Sequence, residues 1–531
     1  MTTVALCMVV KDEAALLPGF LERVRGAFDS LCVVDTGSSD GTLELLQAAG
    51  AKVVHREWRG DFASARNQSL ALAEADWILV LDPDEHVSEG WVAAFREHVE
   101  KAELGALAVQ MRNALPQGHH RLNRLVRAFR NHQGVTYRFP IHEDASESIQ
   151  HALAMSGRQL ATVAPVIEHL GYQREHATAK NKRARDWALL TEHLRQTPDD
   201  AYAHLKRLEL ARFWKDPALA NEAALAAHAL LDERGPGWLA GAHFGGELAV
   251  RMTEVLYPRD AALARTALQA WSREVVRSPV LCLREAELAE NCLDVAEARV
   301  RYQECLALTH WMGDLQLTDT RPKLGLARMA WESGNLMEAL TWVERALRTA
   351  PRDVEALTAR AVLARVLEGD AGISALEGAW RGAHPQSVEV ERALGEEALL
   401  AHLPERAVPH FAKARELSGD ADVADRHLLA VLATGNWEKA QVAASSIRVL
   451  SPACVWGALL ADLALGQDSN LEVELEPDEA EAQLLTWLRE LRSVAPAAVW
   501  NFLAGKLNDL SDVFPHLSAK LAPASHGPVP R

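Results

Sequence analysis

The sequence predicts a doubly wound α/β domain followed by an all-α region of helical repeats. Within residues 1–197, short apolar segments alternate with helical segments, which is typical of parallel strands connected by helices. Beyond residue 197 the strand patterns disappear, and the chain becomes rich in Ala, Leu, Glu and Arg. From residue 320, small residues and prolines recur with a 34-residue period. We therefore expect the α/β domain at 1–197, degenerate helical repeats at 198–319, tetratricopeptide-like repeats at 320–520 and a tail at 521–531.

The α/β pattern can be divided into individual elements. Runs of apolar residues predict strands at 4–10, 31–34, 52–55 and 77–81. Apolar residues at helical spacing predict helices at 12–28, 42–49 and 62–75. Farther along, arginines at every third residue from Arg121 to Arg130 predict a further helix, and short strands are expected at 135–139 and 162–168.

Composition excludes several classes of protein. The net charge of −17 argues against a general nucleic-acid binder, which needs clustered Lys and Arg. The six cysteines are scattered without a C-x-x-C pair, which favours a reducing compartment over a disulfide framework or a zinc site. No apolar run approaches the ~18 residues that a membrane helix requires. We expect a cytoplasmic protein with no membrane span and no nucleic-acid partner.

The fourth predicted strand ends in a cluster of acids. Its five apolar residues, 77–81, indicate burial on both faces, and Asp82, Pro83, Asp84 and Glu85 follow directly. Ligands of open α/β sheets lie outside the carboxyl ends of the strands, and Asp35 ends a neighbouring strand. Asp82 and Asp84 are suited to hold a divalent cation together with substrate phosphates.

Two other enzyme classes place acids in similar positions. A dinucleotide-binding domain would need G-x-G-x-x-G after the first strand, but that strand runs into Lys11, Asp12 and Glu13. This difference argues against a nicotinamide cofactor. A phosphatase with an aspartyl nucleophile stays open on this evidence, because D-x-D after an apolar strand is its signal too.

Four ordered motifs carry a resemblance to a known family: residues 6–13, 33–42, 62–67 and 81–85. They resemble family 2 glycosyltransferases, in particular the bacterial branch in which a GT-A domain precedes tetratricopeptide repeats and which includes peptide S-glycosyltransferases. The match continues at 127–131, 141–143 and 169–172, so that it covers roughly residues 4–190. The resemblance implies an inverting transferase that uses a nucleotide-diphosphate sugar and Mn²⁺ or Mg²⁺. Many relatives have a second acid where Thr36 stands, so a UDP-sugar is only the default donor.

The resemblance also implies roles for individual residues. Asp35 would contact the base or ribose, Arg66 the donor phosphates or ribose, and Arg127 and Arg130 the diphosphate or acceptor. The donor-binding prediction comprises Val10, Lys11, Glu13, Asp35, Thr36, Arg66, Asp82, Asp84, Arg127 and Arg130. The predicted metal ligands are Asp82, Asp84 and His169.

The chemistry of transfer requires a further carboxylate. Cleavage of the sugar–phosphate bond leaves negative charge on the diphosphate, which a metal ion stabilises as a Lewis acid. Inversion then needs one general base to take the acceptor proton. The family pattern maps this role onto Glu143, with His142 orienting it or touching the acceptor. Asp144 is the rival, because its side chain would leave the other side of an extended segment.

The helical repeats predict a binding surface, since solenoids present a concave face. Either capture of a peptide or protein acceptor or self-association into a homo-oligomer is consistent with such a face. The other interpretation is a stabilising helical region with no ligand of its own. The first functional hypothesis is a metal-dependent transferase whose repeats present the acceptor. The alternative is a repeat scaffold whose transferase-like domain is inactive and binds only nucleotide or a protein partner.

Overall fold

The computed structural model describes residues 2–114, 120–169, 179–240, 244–308, 313–314, 316–445, 452–467 and 477–507. The chain divides into two compact units, Met1–Met329 and Ala330–Arg531. Among the described residues, no helix has both the length and the apolar character needed to cross a bilayer. The tail predicted at 521–531 lies outside the described residues, and the predicted domain boundaries stay a prediction.

The first unit is built on one mixed sheet. Its strands are β1 Val4–Val10, β2 Ser30–Asp35, β3 Lys52–His55, β4 Trp77–Val80, β5 Glu85–Val87, β6 Leu104–Ala114, β7 His120–Arg130, β8 Gln159–His169 and β9 Gly313–Asp314. They are ordered β3-β2-β1-β4-β7-β6-β8-β5, and β9 pairs with β7. Strands β3, β2, β1 and β4 are parallel, as the sequence predicts, whereas β7 is antiparallel to both β4 and β6. The parallel arrangement predicted for the first four strands is confirmed, and the strands that follow β4 make the sheet a mixed one.

Five helices accompany these strands: α1 Leu17–Arg23, α2 Thr42–Ala48, α3 Phe62–Ala71, α4 Trp91–Val99 and α5 Ser146–Ser156. The predicted first helix is much shorter than 12–28, because it begins only where a proline occupies its first turn. The helix expected from Arg121 to Arg130 is instead β7. The strand expected at 135–139 is reduced to one pair of backbone hydrogen bonds between Arg138 and Asp144. The strand predicted at 162–168 is the second part of the longer β8.

Both faces of the central strands are covered, which explains their continuous apolar sequences. Leu6, Met8 and Leu79 lie in the core on one face. Their neighbours Cys7 and Ile78 lie in the core on the other face. Because both faces are packed, a ligand can approach these strands only at their ends, and in open α/β sheets it binds at the carboxyl ends.

Helices make up the rest of the first unit: α6 Ala179–Gln196, α7 Ala201–Phe213, α8 Pro217–Arg234, α9 Gly237–Ala240, α10 Gly245–Leu256, α11 Ala261–Trp271, α12 Pro279–Asn291, α13 Val295–Ala307 and a π-helical turn at Gln316–Thr320. The boundary between the units falls within α14, Arg321–Glu332. The side chains of Asp200, Asp216 and Asp260 each accept a backbone N–H at the start of their helices. These caps satisfy donors that a helix leaves unpaired in its first turn.

The second unit contains α15 Leu336–Thr349, α16 Val354–Ala383, α17 Val388–Leu400, α18 Pro404–Leu417, α19 Ala421–Ala433, α20 Trp437–Ser445, α21 Pro452–Leu465, α22 Pro477–Val494 and α23 Ala497–Leu507. Gly369, at φ 68°, interrupts α16 and divides it into two consecutive helices. Paired helices thus begin at Val354, Val388 and Ala421, which confirms the predicted tetratricopeptide-like repeat. Within one pair, a Cβ on Gly395 would lie 2.8 Å from the ring of Phe411, so only glycine permits this approach.

Candidate active site

The acidic cluster lies at the carboxyl end of β4. Asp82 and Asp84 are partly exposed there, and Glu85 opens β5. Strand β5 runs antiparallel to β8, and their register places Glu85 opposite His169. As a result, His169 Nε2 lies 3.3 Å from Asp84 Oδ2, which brings two of the predicted metal ligands together.

The orientation of His169 is set by a neighbouring strand. Its Nδ1 lies 2.7 Å from Oδ1 of Asn113, at the end of β6. Because an amide oxygen only accepts hydrogen bonds, Nδ1 carries the proton and Nε2 faces Asp84. Burial would lower the pKa of His169, but the hydrogen bond and the charge of Asp84 outweigh burial and raise that pKa.

These residues fit an ion that is shared with a substrate. Within the described ranges, no group of three or more His, Cys, Asp or Glu side chains converges closely enough to hold a metal alone. Asp84 and His169 supply one carboxylate and one imidazole, and Asp82 belongs to the same loop. Mg²⁺ is commonly bound by one or two carboxylates plus substrate phosphates, so a complete protein cage is not required.

Arg66 connects this cluster to a second carboxylate. Its side chain is only 6% exposed, and Nη2 donates to Asp82 Oδ1 at 3.1 Å and to Glu143 Oε1 at 3.3 Å. Burial would lower the pKa of Arg66, but the charges of Asp82 and Glu143 raise it. Burial would in turn raise the pKa of Asp82, and the charges of Arg66 and Arg127 lower it. The predicted donor-side acid and the predicted base therefore share one cation.

Helix α3 also holds the segment that carries Glu143. The amide of Asn67 donates to Tyr137 O at 2.8 Å and accepts from Tyr137 N at 2.7 Å. At the start of the same helix, Phe62 N donates to Pro140 O at 2.8 Å. The motif at 62–67 thus fastens this segment to helix α3, a role for Asn67 that is not predicted from the sequence.

The structure distinguishes the two candidate bases. Arg138 and Asp144 exchange backbone hydrogen bonds of 2.9 and 3.1 Å, which close the loop between them. The carboxylate of Asp144 accepts from Ser146 N and Oγ, at 3.0 and 2.7 Å, where α5 begins. Glu143 faces Arg66 instead, and His142 is exposed. Among the three predicted catalytic residues, Glu143 is the one whose carboxylate faces the acidic cluster.

A second buried pair supports the same loop. Glu85 is 1% exposed and forms an ion pair with Arg127. Its Oε2 accepts from the backbone N–H of Asp82 at 3.2 Å. Burial raises the pKa of Glu85 to about 7, although the charge of Arg127 opposes that shift. Arg127 lies near the predicted site, but its guanidinium is engaged with Glu85, for which the sequence predicts no role beyond being the third acid of the run.

Arg130 is not part of this cluster. Strand β7 is antiparallel to β4, and the register pairs Arg130 with Trp77 at the amino end of β4. Its Nε donates to Leu104 O at 2.8 Å, and its guanidinium lies 5.1 Å from the centre of the Trp77 ring. Its predicted donor contact does not agree with this position, because the predicted donor site lies at the opposite end of the strand.

The remaining predicted donor residues lie at the ends of β1 and β2. Thr36 N donates to Val10 O at 3.0 Å, and Glu13 N donates to Thr42 Oγ1 at 2.8 Å, while Lys11 is exposed.

Asp35 is 0% exposed, and its carboxylate accepts from Gly37 N at 3.0 Å and from Ser38 N at 3.2 Å. Burial would raise the pKa of Asp35, but these turn hydrogen bonds and His55 lower it. In this structure Asp35 shapes the turn, and its contact with a nucleoside stays a prediction.

The residues that form most of this sheet and its acidic cluster match a known protein family. Residues 5–141 match the model described as Glycosyl transferase family 2. The chain carries a family 2 glycosyltransferase domain. Glu143 and His169 lie beyond the residues that this model matches, so their assignment depends on the geometry above.

Two curated relatives extend this result. A TPR repeat-containing protein of Synechococcus elongatus is 39% identical over 208 residues, which are 38% of this chain and 50% of that protein. The glycosyltransferase SunS of Bacillus subtilis is 23% identical over 203 residues, 37% of this chain and 46% of that protein. The chain thus spans about half the length of these relatives. Among solved structures, yeast Tom70 aligns at 12% identity with a TM-score of 0.38, over 64% of this chain and 89% of that one.

Proposed function

We propose that the chain is an inverting, metal-dependent glycosyltransferase that moves a sugar from a nucleotide-diphosphate donor, by default a UDP-sugar, to an acceptor. The observation that carries this proposal is the position of Arg66. One nitrogen of its guanidinium bonds both Asp82, on the donor side, and Glu143, on the acceptor side. A donor site and a base within reach of one side chain are what direct transfer of a sugar requires.

The donor side has the groups that a nucleotide diphosphate needs. Asp84, His169 and Asp82 would hold Mn²⁺ or Mg²⁺, which when bound stabilises the charge that develops on the leaving diphosphate. Arg66 adds a positive charge beside these residues, and its ion pairs with Asp82 and Glu143 fix the position of that charge. Its Nε and Nη1 are buried without a protein partner among the described residues, which favours a role in contacting the donor phosphates or ribose.

On the acceptor side, Glu143 would take the proton of the attacking group. A carboxylate is an effective base only while it is ionised, and Arg66 at 3.3 Å stabilises the ionised form. The same contact orients the carboxylate toward the acidic cluster. Because the acceptor attacks the sugar directly, one base is sufficient and no acid is required for the leaving diphosphate.

The acceptor in this proposal is a peptide or protein. Helices α7 and α10 carry ion pairs beside the loop that holds Glu143, including Lys206 with Glu209 at 2.8 Å and Arg251 with Glu254 at 2.9 Å. Burial would raise the pKa of Glu209, but Lys206, Arg251 and, more weakly, His142 lower it. Helix α7 contacts the loop directly, because the hydroxyl of Tyr202 donates to the carbonyl oxygen of His142. Such a surface supports recognition of a polar polypeptide. We also propose that the protein acts in the cytoplasm.

The proposal is tested with the full chain and a panel of nucleotide sugars. In the presence of Mn²⁺ we expect release of nucleoside diphosphate from at least one donor, with the sugar transferred to an acceptor or, slowly, to water. Chelation of the metal should stop this release, and Asp84→Asn should reduce it together with Mn²⁺-dependent nucleotide binding. If the chain binds nucleotide diphosphates but releases none from any donor, the inactive scaffold is the better description.

A further inference from the structure

The loop that carries Glu143 contains two strained residues. Phe139 has φ 73° and His142 has φ 55°, which is the left-handed region that residues other than glycine rarely adopt. Strained backbone of this kind persists only where the surrounding structure holds it in place. Helix α3 holds one side of this loop through Asn67 and the backbone N–H of Phe62.

One side chain from outside the glycosyltransferase domain contacts both strained residues. Tyr202, in the first turn of α7, stacks on the ring of Phe139 with the ring centres 3.9 Å apart and the planes inclined by 23°. Its hydroxyl donates to the carbonyl oxygen of His142 at 2.5 Å. Tyr202 is only 7% exposed, so that both contacts are shielded from water. The residue after His142 is Glu143.

One of the two residues between the strained positions, Ile141, is held by helices α6 and α7. Ile141 is buried in a cluster with Leu190 and Leu194 of α6 and with Ala203 and Leu210 of α7. Consequently, three of the four residues that precede Glu143 in the loop are held by α6 and α7.

Tyr202 is itself fixed from several directions. Asp200 accepts the backbone N–H of Tyr202 at 2.9 Å, and the other oxygen of Asp200 lies 2.7 Å from His193 Nε2. The ring of Phe244 lies 4.8 Å from that of Tyr202. The side chain that supports the loop therefore has little freedom to move.

We propose that Tyr202 is a positioning residue that holds the strained loop so that Glu143 stays aligned with Arg66 and the donor site. The catalytic role of Glu143 in this statement rests on the proposed function. On this account the first helices after the sheet complete the active site, in addition to any contact that they make with the acceptor. Without α6 and α7, the loop that carries Glu143 would lose its contacts with Tyr202 and the apolar cluster around Ile141.

The test compares Tyr202→Phe and Tyr202→Ala with a matched control, Tyr302→Phe, in the full chain. Tyr302 is also buried and donates to a carboxylate, Glu290 Oε2, at 2.6 Å, but it lies on α13. With the donor found active in the panel and water as the acceptor, we expect Tyr202→Ala to lower kcat by about 10- to 100-fold. Tyr202→Phe keeps the ring contact with Phe139, so its kcat should be intermediate between those of Tyr202→Ala and the wild type. Affinity for the nucleoside diphosphate should stay within about twofold, and Tyr302→Phe should not change kcat.

A second readout does not depend on catalysis. Amide hydrogen exchange of residues 137–144 should be faster in Tyr202→Ala than in the wild type or in Tyr302→Phe. If Tyr202→Ala does not fold, the comparison is made with Tyr202→Phe. Unchanged exchange together with unchanged kcat would overturn the proposal.

If no donor is turned over even by the wild type, the proposed function fails. Hydrogen exchange alone then tests whether Tyr202 positions the loop, and unchanged exchange of residues 137–144 in Tyr202→Ala would overturn that role. If Glu143→Gln is as active as the wild type while Tyr202→Ala loosens the loop, the base assignment fails and the support of the loop stands.

Discussion

Replacement of His169 by Asn should remove a pH dependence from nucleotide binding. A metal ion and a proton compete for the same nitrogen, Nε2, because Nδ1 donates to Asn113. Asp84 raises the pKa of His169 above its ordinary 6.5. Below this raised pKa the proton has to be displaced before the ion binds, and above it there is no proton to displace. Mn²⁺-dependent affinity in the wild type should therefore weaken as the pH falls through a value above 6.5.

The magnitude follows from the number of protons. One titrating nitrogen gives a loss of roughly tenfold in apparent affinity for each pH unit below the pKa, and no loss above it. Asparagine can accept a hydrogen bond at this position but does not titrate. His169→Asn should thus bind more weakly at high pH and should lose most of the pH dependence.

Titration calorimetry of UDP with Mn²⁺, from about pH 5.5 to about pH 8.5, measures this effect. His193→Asn is a matched control, because His193 is 21% exposed against 23% for His169 and lies 2.7 Å from the carboxylate of Asp200. The control should keep the pH dependence of the wild type. A slope that persists in His169→Asn, or a wild type without any slope, would refute the assignment of His169 to the metal.

Two further predictions concern stability, and differential scanning calorimetry of the full chain tests both. Glu85→Leu leaves Arg127 buried without its counter-charge and should destabilise the first unit by about 3–5 kcal/mol. Glu85→Gln should cause a smaller loss of stability. An unchanged melting temperature in Glu85→Leu would contradict the importance of this ion pair. Gly395→Ala forces a methyl group against Phe411 and should cost about 1–3 kcal/mol. Gly378→Ala, where nothing lies within 4 Å of the added Cβ, should instead be neutral or stabilising by up to about 1 kcal/mol. Equal effects of Gly395→Ala and Gly378→Ala on the melting temperature would contradict the packing argument.

The parallel part of the sheet and its acidic edge could be predicted because their signals are local. Strands buried on both faces are continuous apolar runs, and the residues that follow them must lie at the sheet edge. For this reason Asp82 and Asp84 are found at the predicted place. His169 was predicted from the resemblance and a preceding strand, and the pairing of β5 with β8 explains how it reaches Asp84.

The segment from Arg121 to Arg130 shows why local spacing fails elsewhere. A charge at every third residue matches a helical face, but the segment pairs with the preceding strand β6 and with β4, which lies about fifty residues earlier in the chain. Ala128 and Phe129 are buried on opposite faces of the sheet, and these tertiary contacts determine the conformation. The same pairing places Arg130 at the wrong end of the strand for a donor contact.

Tyr202 could not have been found from the sequence. Its hydroxyl bonds the carbonyl oxygen of a residue sixty positions earlier in the chain, and a carbonyl oxygen imposes no residue type at its own position. Tyr202 also lies outside residues 5–141, which carry the family match. Asn67 is different, because it belongs to the motif at 62–67, and only its bonds to Tyr137 were missing from the prediction.

The central claim is that Glu143, joined to the donor side by Arg66, is the base for transfer. The most direct measurement compares Glu143→Gln with Asp144→Asn for release of nucleoside diphosphate and for affinity toward it. Glu143→Gln keeps an oxygen for Arg66 but cannot take a proton, so release should fall by about 10²–10⁴-fold while the affinity changes little. Asp144→Asn should keep most of its activity, because that carboxylate serves the start of α5. Normal release by Glu143→Gln, with loss in Asp144→Asn, would contradict the claim and move the base by one residue.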